Sequence, residues 1–275
     1  MVILAVQIFL GKLSPRQVNS SFHQLPEISY DQIMSKMITA GNIPIYKAEP
    51  KGESKGGILL IHEVWGLSDH VKDVADRFAR QGYLVYAPDF LSETDIAEKV
   101  TSELQQDLFD PKKRNEVQPK LREMMAPLQS PEFARVTIDK VKVCFDFLYQ
   151  DKESRQSTAV VGYCFGGTYS FHLAAHEPRL RAAVAYYGHA DLTEEQLEGI
   201  NCPILAFYGA NDERLVEGLP ELEKNMEATS VNFTGKVYEN AGHAFFNDTN
   251  KYAYNKPAAD DSWRLTLKFL TENLN

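Results

Sequence analysis

Six consecutive residues constrain the fold of this chain more than any others: Gly162-Tyr163-Cys164-Phe165-Gly166-Gly167. An apolar run at residues 158–162 leads into them and reads as a strand. Residues 166–175 follow at helical spacing. A strand that turns into a helix within so few residues holds its apex residue in a strained conformation. The neighbours must then be small enough to clear the adjacent strand and helix. This is the pattern of a G-x-S-x-G nucleophile turn with cysteine in place of serine. It sets a sulfur above the carboxyl edge of a sheet with a helix N-terminus beneath it, where the helix dipole favours a thiolate and an oxyanion alike.

The surrounding sequence supplies the sheet. Residues 57–62 form a short continuous apolar run, as expected of a strand buried on both faces. Ser68 or Asp69 caps a helix carrying Val71, Val74, Ala75 and Phe78, and Gly82 ends it. Residues 84–87 are the next strand, closed by Pro88. That βαβ rhythm predicts a parallel sheet with right-handed crossovers. It resumes with a helix over 136–148, strands over 182–187, 204–208 and 231–238, and a final amphipathic helix carrying Trp263, Leu267 and Leu270. Residues 43–48 read as an edge strand ended by the turn-rich Glu49-Pro50-Lys51-Gly52. The predicted fold is α/β, a mostly parallel, doubly wound sheet with helices on both faces.

Two stretches stand outside the rhythm. Residues 91–130 suggest two helices, one with Ile96, Val100, Leu104 and Leu108 and one with Val117, Leu121 and Met125, with Pro111, Pro119 and Pro127 as breakers. Such an insertion is expected to wall a pocket. Residues 1–36 read as an N-terminal extension to a single domain over 37–275. Residues 2–10 are apolar apart from Gln7, yet no basic start precedes them and no small-x-small cleavage site follows. A cytoplasmic location is the expectation.

A chain of 275 residues with 44% hydrophobic composition is enough for one large core. The net charge of −9 argues against nucleic acid and anionic membrane as partners. No run of about 18 apolar residues is present for a membrane helix. Cys144, Cys164 and Cys202 are too few and too scattered for a disulfide framework.

Chain order after the turn points to two partners for Cys164. Gly209-Ala210-Asn211-Asp212 follows one strand and Ala241-Gly242-His243 follows the next. Nucleophile, acid, histidine is the order of hydrolytic triads on such sheets, and all three fall at carboxyl strand ends, where these sheets bind ligands. A free thiol titrates near 8.5, so His243 would take its proton and return it to a leaving alkoxide. Asp212 would fix the imidazole tautomer, with Glu213 beside it as the other candidate acid. Backbone N–H groups of Phe165 and Val64 are the expected oxyanion donors. This chemistry needs no metal or cofactor.

Other candidates have structural readings. Cys144 and Cys202 suit a core. His172 and His176, four apart on a helix, lack a third ligand for zinc. His189 and Asp191 lie where a pocket wall would run, His62 adjoins Glu63, and His70 begins a helix and is expected to be exposed. Trp65 and Tyr86 are pocket walls or core aromatics.

The six-residue turn, with His62-Glu63-Val64-Trp65-Gly66 upstream and Ala87-Pro88-Asp89-Phe90 between, closely resembles the dienelactone hydrolase family over roughly residues 43–273. The resemblance implies an α/β-hydrolase with Cys164, Asp212 and His243 as its triad, cleaving small carboxylic esters or lactones through a thioester. It also implies that Glu63 hydrogen-bonds the resting thiol and moves away when substrate binds. The plainer reading of Glu63 is that it caps the following helix or pairs with a nearby base. Members that take an anionic dienelactone look to hold its carboxylate with two arginines. In this chain Phe90-Leu91-Ser92-Glu93-Thr94 carries none, and Asn247 falls near the second position. The contrasting reading is a ligand-binding or redox-sensing protein without turnover; neither reading fixes the oligomeric state.

Overall fold

The computed structural model describes residues 33–94, 96–99, 101–110 and 112–274. All but the last four residues of the expected extension, residues 2–10 included, lie outside them. Eight strands form one sheet: β1 Ile33–Ala40, β2 Ile43–Pro50, β3 Gly57–Ile61, β4 Leu84–Pro88, β5 Thr158–Tyr163, β6 Ala182–Tyr186, β7 Ile204–Gly209 and β8 Phe233–Tyr238. Their order is β1-β2-β4-β3-β5-β6-β7-β8. β1, β2 and β4 pair antiparallel, and every pairing from β4 onward is parallel.

Both faces of the sheet are buried, which explains the unbroken apolar runs. In β3, Leu59 and Ile61 join one core cluster and Ile58 and Leu60 the other. The first cluster packs against α5 (Pro131–Gln150), α6 (Phe165–His176) and α8 (Glu213–Ala228), through residues such as Phe145, Phe171 and Leu219. The second packs against α1 (Asp69–Arg80) and α9 (Lys256–Leu274), through Phe78 and Leu270. Burying a side chain of this size contributes about 1.5–3 kcal/mol. No helix among the described residues is long and apolar enough to cross a membrane.

The edge differs from the sequence expectation. β2 is not the outer strand, because β1 pairs with it along its whole length, from Ile33 opposite Pro50 to Ala40 opposite Ile43. β1 is poorly alternating and largely exposed, so periodicity hides it. The signal lies in its turn: Gly41-Asn42 joins the strands, with Gly41 at φ 61°, a glycine-first two-residue hairpin connection.

The insertion contains α2 (Ile96–Lys99), α3 (Ser102–Phe109) and α4 (Arg114–Met125). Pro119 lies inside α4 rather than ending it. It forfeits one i→i−4 bond near the exposed start of the helix, a loss that the flanking turns absorb. Leu91, Ile96 and Leu121 form a small separate core, and Trp65, Leu104, Leu108 and Phe133 pack on it. Trp65 thereby ties the insertion to the loop after β3.

The strand order reverses at β3. Its crossover to β4 leaves on one side and β5 lies on the other, so the loops beyond β3 and β5 diverge and leave a crevice at the carboxyl edge. Ile61 pairs with Gly162 in register. Glu63 and Cys164 therefore emerge side by side.

Candidate active site

Cys164 sits between β5 and α6 with φ 55° and ψ −110°. A non-glycine residue in that region stores on the order of 1–3 kcal/mol, and the surroundings must hold it there. They do so with backbone bonds: the Cys164 N–H donates to Tyr186 O at 2.9 Å, and the Gly166 N–H to His62 O at 3.0 Å. A Cβ on Gly166 would lie 2.1 Å from the Ile61 carbonyl oxygen. Only glycine lets the first turn of α6 lie against the end of β3. Tyr187 (φ 39°) and Ala244 (φ 59°) flank the same site with positive φ.

Asp212 and His243 come from neighbouring loops after β7 and β8. These loops are fastened by Ala210 N–H to Tyr238 O at 3.0 Å and Asn211 N–H to Ala241 O at 2.9 Å. Gly209 allows the approach, since a Cβ there would meet Ala241 O at 2.6 Å. His243 Nδ1 then lies 2.6 Å from Asp212 Oδ2, and His243 Nε2 lies 3.1 Å from Cys164 Sγ. Of the two candidate acids, Asp212 makes this contact.

Burial works against a charged imidazole at His243. The charge of a Cys164 thiolate and the hydrogen bond to Asp212 outweigh it and hold His243 well above its ordinary value. The side chain of His243 is 36% exposed and that of Asp212 17%. Water therefore reaches the imidazole while the carboxylate stays sheltered. An array of this kind passes a proton between sulfur and a group bound above it.

Glu63 is buried at 3% exposure. Its Oε1 accepts from the Tyr187 hydroxyl at 3.3 Å and its Oε2 from Asn247 Nδ2 at 2.9 Å. Asn247 is oriented by Thr249, whose N–H and hydroxyl both donate to Asn247 Oδ1, so its NH₂ faces the carboxylate. Tyr187 also lays its ring 5.0 Å from that of His243. Sequence reasoning did not single out Tyr187 as a partner of Glu63. The only local signal was Asn247, found where the family's arginine is expected.

His62 is fully buried, and burial pushes it below its ordinary value. Its Nε2 accepts the Phe90 N–H at 3.0 Å and its Nδ1 donates to Glu63 O at 2.6 Å. It stacks on Phe165 with centroids 5.6 Å apart. His62 thus braces the two turns that carry the expected oxyanion donors. Phe165 is the first residue of α6, and first-turn amides have no intrahelical acceptor. Val64 lies in the loop directly after Glu63.

Other candidates are dispersed. Tyr86 is buried, with its hydroxyl donating to Asp151 at 2.8 Å, the residue that ends α5, and the contacts of its side chain lead there rather than to Cys164. His70 is buried rather than exposed, because the first turn of α1 packs on the loop after His243. Its Nδ1 lies 3.3 Å from Asp248 Oδ1. His176 Nδ1 bonds the His172 carbonyl oxygen, and among the described residues no cluster of three or more His, Cys, Asp or Glu is placed to hold a metal. Cys144 and Cys202 are buried, and burial pushes each thiol up to about 12.

An eight-stranded, mostly parallel sheet wrapped by helices on both faces, with the strand–turn–helix of Cys164 at its reversal point, defines an α/β-hydrolase fold. The family model for the dienelactone hydrolase family matches residues 43–274, and the chain belongs to that family. A relative from Saccharolobus solfataricus named "Putative carboxymethylenebutenolidase" is 30% identical, over 89% of this chain and 97% of its own length. "Protein usf" of Aquifex pyrophilus is 30% identical over 83% of this chain and 93% of its own. A crystal structure from Klebsiella pneumoniae subsp. pneumoniae MGH 78578, described as a "Putative Dienelactone Hydrolase", superposes with a TM-score of 0.72 at 23% identity. It covers 86% of this chain and 98% of that one, a likeness of fold.

Proposed function

We propose that this protein hydrolyses small, uncharged carboxylic esters or lactones through a Cys164–His243–Asp212 triad. The observation that carries the proposal is the pair of contacts on His243, 3.1 Å to the sulfur and 2.6 Å to the carboxylate, beside a cysteine held at positive φ. The names of curated relatives point to a butenolide, which is a lactone.

His243 takes the thiol proton, and Cys164 Sγ attacks the carbonyl carbon. The carbonyl electron pair moves onto oxygen, where the N–H groups of Phe165 and Val64 receive it; each donor of this kind is worth about 2.7–4 kcal/mol of barrier. The C–O bond breaks as the tetrahedral centre collapses to a thioester, and His243 returns its proton to the leaving alkoxide. Water then attacks the thioester with His243 as base, and the C–S bond breaks to give the acid and the free thiol. Asp212 holds Nδ1 protonated throughout.

Glu63 governs when the thiol is used. It accepts a hydrogen bond from the thiol at rest, and its alternative partners are Tyr187 and Asn247, on which the carboxylate is engaged while Cys164 faces His243. Because the Asn247 amide is committed to Glu63 and residues 90–94 contain no arginine, the substrate side lacks a clamp for an anion. That favours neutral substrates. Trp65 and the insertion it anchors supply a wall of the pocket.

The test is intact-protein mass after mixing with p-nitrophenyl acetate, for wild type and Cys164→Ala. A transient acetyl adduct with nitrophenol release, both lost in the variant, is expected. A folded wild type that gives neither overturns the hydrolase reading in favour of a binding or redox role.

A further inference from the structure

A cavity that none of Cys164, His243 and Asp212 lines lies beside α8. Its volume is about 400 Å³, within the range of small-molecule pockets. One wall is α8, which starts directly after Asp212. The other is the segment after Tyr187, running on to α7 (Glu194–Glu198). Leu192, Leu197, Leu215, Leu219 and Leu222 line it in part, alternating with polar groups, and Leu197 and Leu219 are buried.

Charge is arranged unevenly in this cavity. Arg214, two residues after the triad acid, lines it and is exposed. No ion pair to Arg214 is found among the described residues. His189 and Asp191 also line it and lie 2.9 Å apart, both exposed to solvent. Glu221 stands seven residues after Arg214 on the same helix, about 10 Å further along its axis. Tyr208 contributes to the lining, and its buried hydroxyl has no hydrogen-bond partner among the described residues. Buried hydroxyls are nearly always paired, so a ligand or a bridging water is the expected partner.

Gly218 adds the last observation. It lines the cavity in the middle of α8, and a Cβ built on it meets nothing within 4 Å. Glycine in a helix interior is unfavourable relative to alanine, and nothing about the packing at Gly218 requires it. A larger side chain at this position would extend into open space at the cavity.

We propose that this cavity binds a small amphiphilic carboxylate, with its head group on Arg214 and its apolar chain along the leucines. Glu221 at the far end sets the orientation, since it repels the same head group. The site is distinct from the thiol, so binding is readable without turnover.

The experiment is isothermal titration of octanoate, and of octanol as its uncharged counterpart, into the full chain and three variants. Octanoate is expected to bind wild type and Cys164→Ala alike, at one per chain. Gly218→Leu, which fills the cavity on an exposed helix face, is expected to weaken both ligands at least tenfold. Arg214→Ala is expected to weaken octanoate by about tenfold and leave octanol unchanged. Circular dichroism confirms that each variant is folded. No octanoate binding to wild type, or wild-type affinity in Gly218→Leu, overturns the proposal. Equal weakening of both ligands by Arg214→Ala overturns the carboxylate assignment. Release of nitrophenol from p-nitrophenyl acetate by the same preparations reports on the hydrolase separately.

Discussion

Asn247 donates its side-chain amide to Glu63 at 2.9 Å across 184 residues of chain, and both side chains are buried. Among the described residues the carboxylate has no cation as a hydrogen-bond partner; a phenol and an amide hold it. Neutral donors stabilise a carboxylate without trapping it as an arginine fork does. They suit a group that exchanges partners during a reaction cycle.

Replacing Asn247 by leucine leaves Glu63 with the Tyr187 hydroxyl alone. Stability should fall by about 1–3 kcal/mol, the usual cost of orphaning a buried polar group. Urea denaturation checks the value. Most of the loss should vanish when the same change is made in Glu63→Leu, and an additive double mutant would count against the coupling.

The three cysteines should differ sharply in reactivity. Cys164 is partly exposed and lies beside His243, whereas Cys144 and Cys202 are buried with their thiols pushed up to about 12. Only thiolates alkylate at useful rates. Iodoacetamide at neutral pH should add one group to the native protein and three after denaturation. Peptide mapping should place the native adduct on Cys164.

The raised pKa of His243 has a consequence for stability against pH. An imidazole whose folded value lies above its unfolded value of about 6.5 stabilises the fold fully below that value. The contribution fades as pH rises through the folded value, which lies well above it. Denaturation from pH 6 to pH 9 should show this alkaline loss in wild type. In His243→Gln it should be absent.

Asp212→Asn tests the partner on Nδ1. An amide in place of the carboxylate no longer fixes the tautomer, and ester turnover should drop by about 10⁴-fold, the scale known for the same change in a serine triad. The thermal midpoint should move little, because Asp212 is partly exposed at a loop. An activity close to wild type would shift the role of acid to another residue.

Gly166→Ala should fail to give soluble protein, or lose more than about 4 kcal/mol. The added carbon has only the backbone of β3 to push against. Expression yield and denaturation midpoint report this directly.

The sequence revealed most where physics is local. β3, β5 and β7 are short apolar runs because both faces of the sheet are covered. The nucleophile turn shows itself through its glycines, and Asp212 and His243 through their places after strands. The partners of Glu63 were hidden for the opposite reason. Tyr187 and Asn247 lie 124 and 184 residues away from it, and no period or spacing encodes such contacts. Tyr86, open between pocket wall and core aromatic in the sequence, is buried with its hydroxyl on Asp151; a buried aromatic looks the same whichever edge of the sheet its hydroxyl faces. His70 misled because polarity alone suggested exposure, while Asp248, from a distant loop, meets both His70 and Arg77 of the same helix.

The contact of Gly166 with the end of β3 separates what is variable in this fold from what is not. The sulfur is placed by main chain against main chain, whereas the insertion rests on Trp65 and a small satellite core. Drift in the insertion therefore reshapes what reaches the sulfur without moving it. Change in such a lineage should accumulate around residues 91–130, over a cysteine that stays where it was.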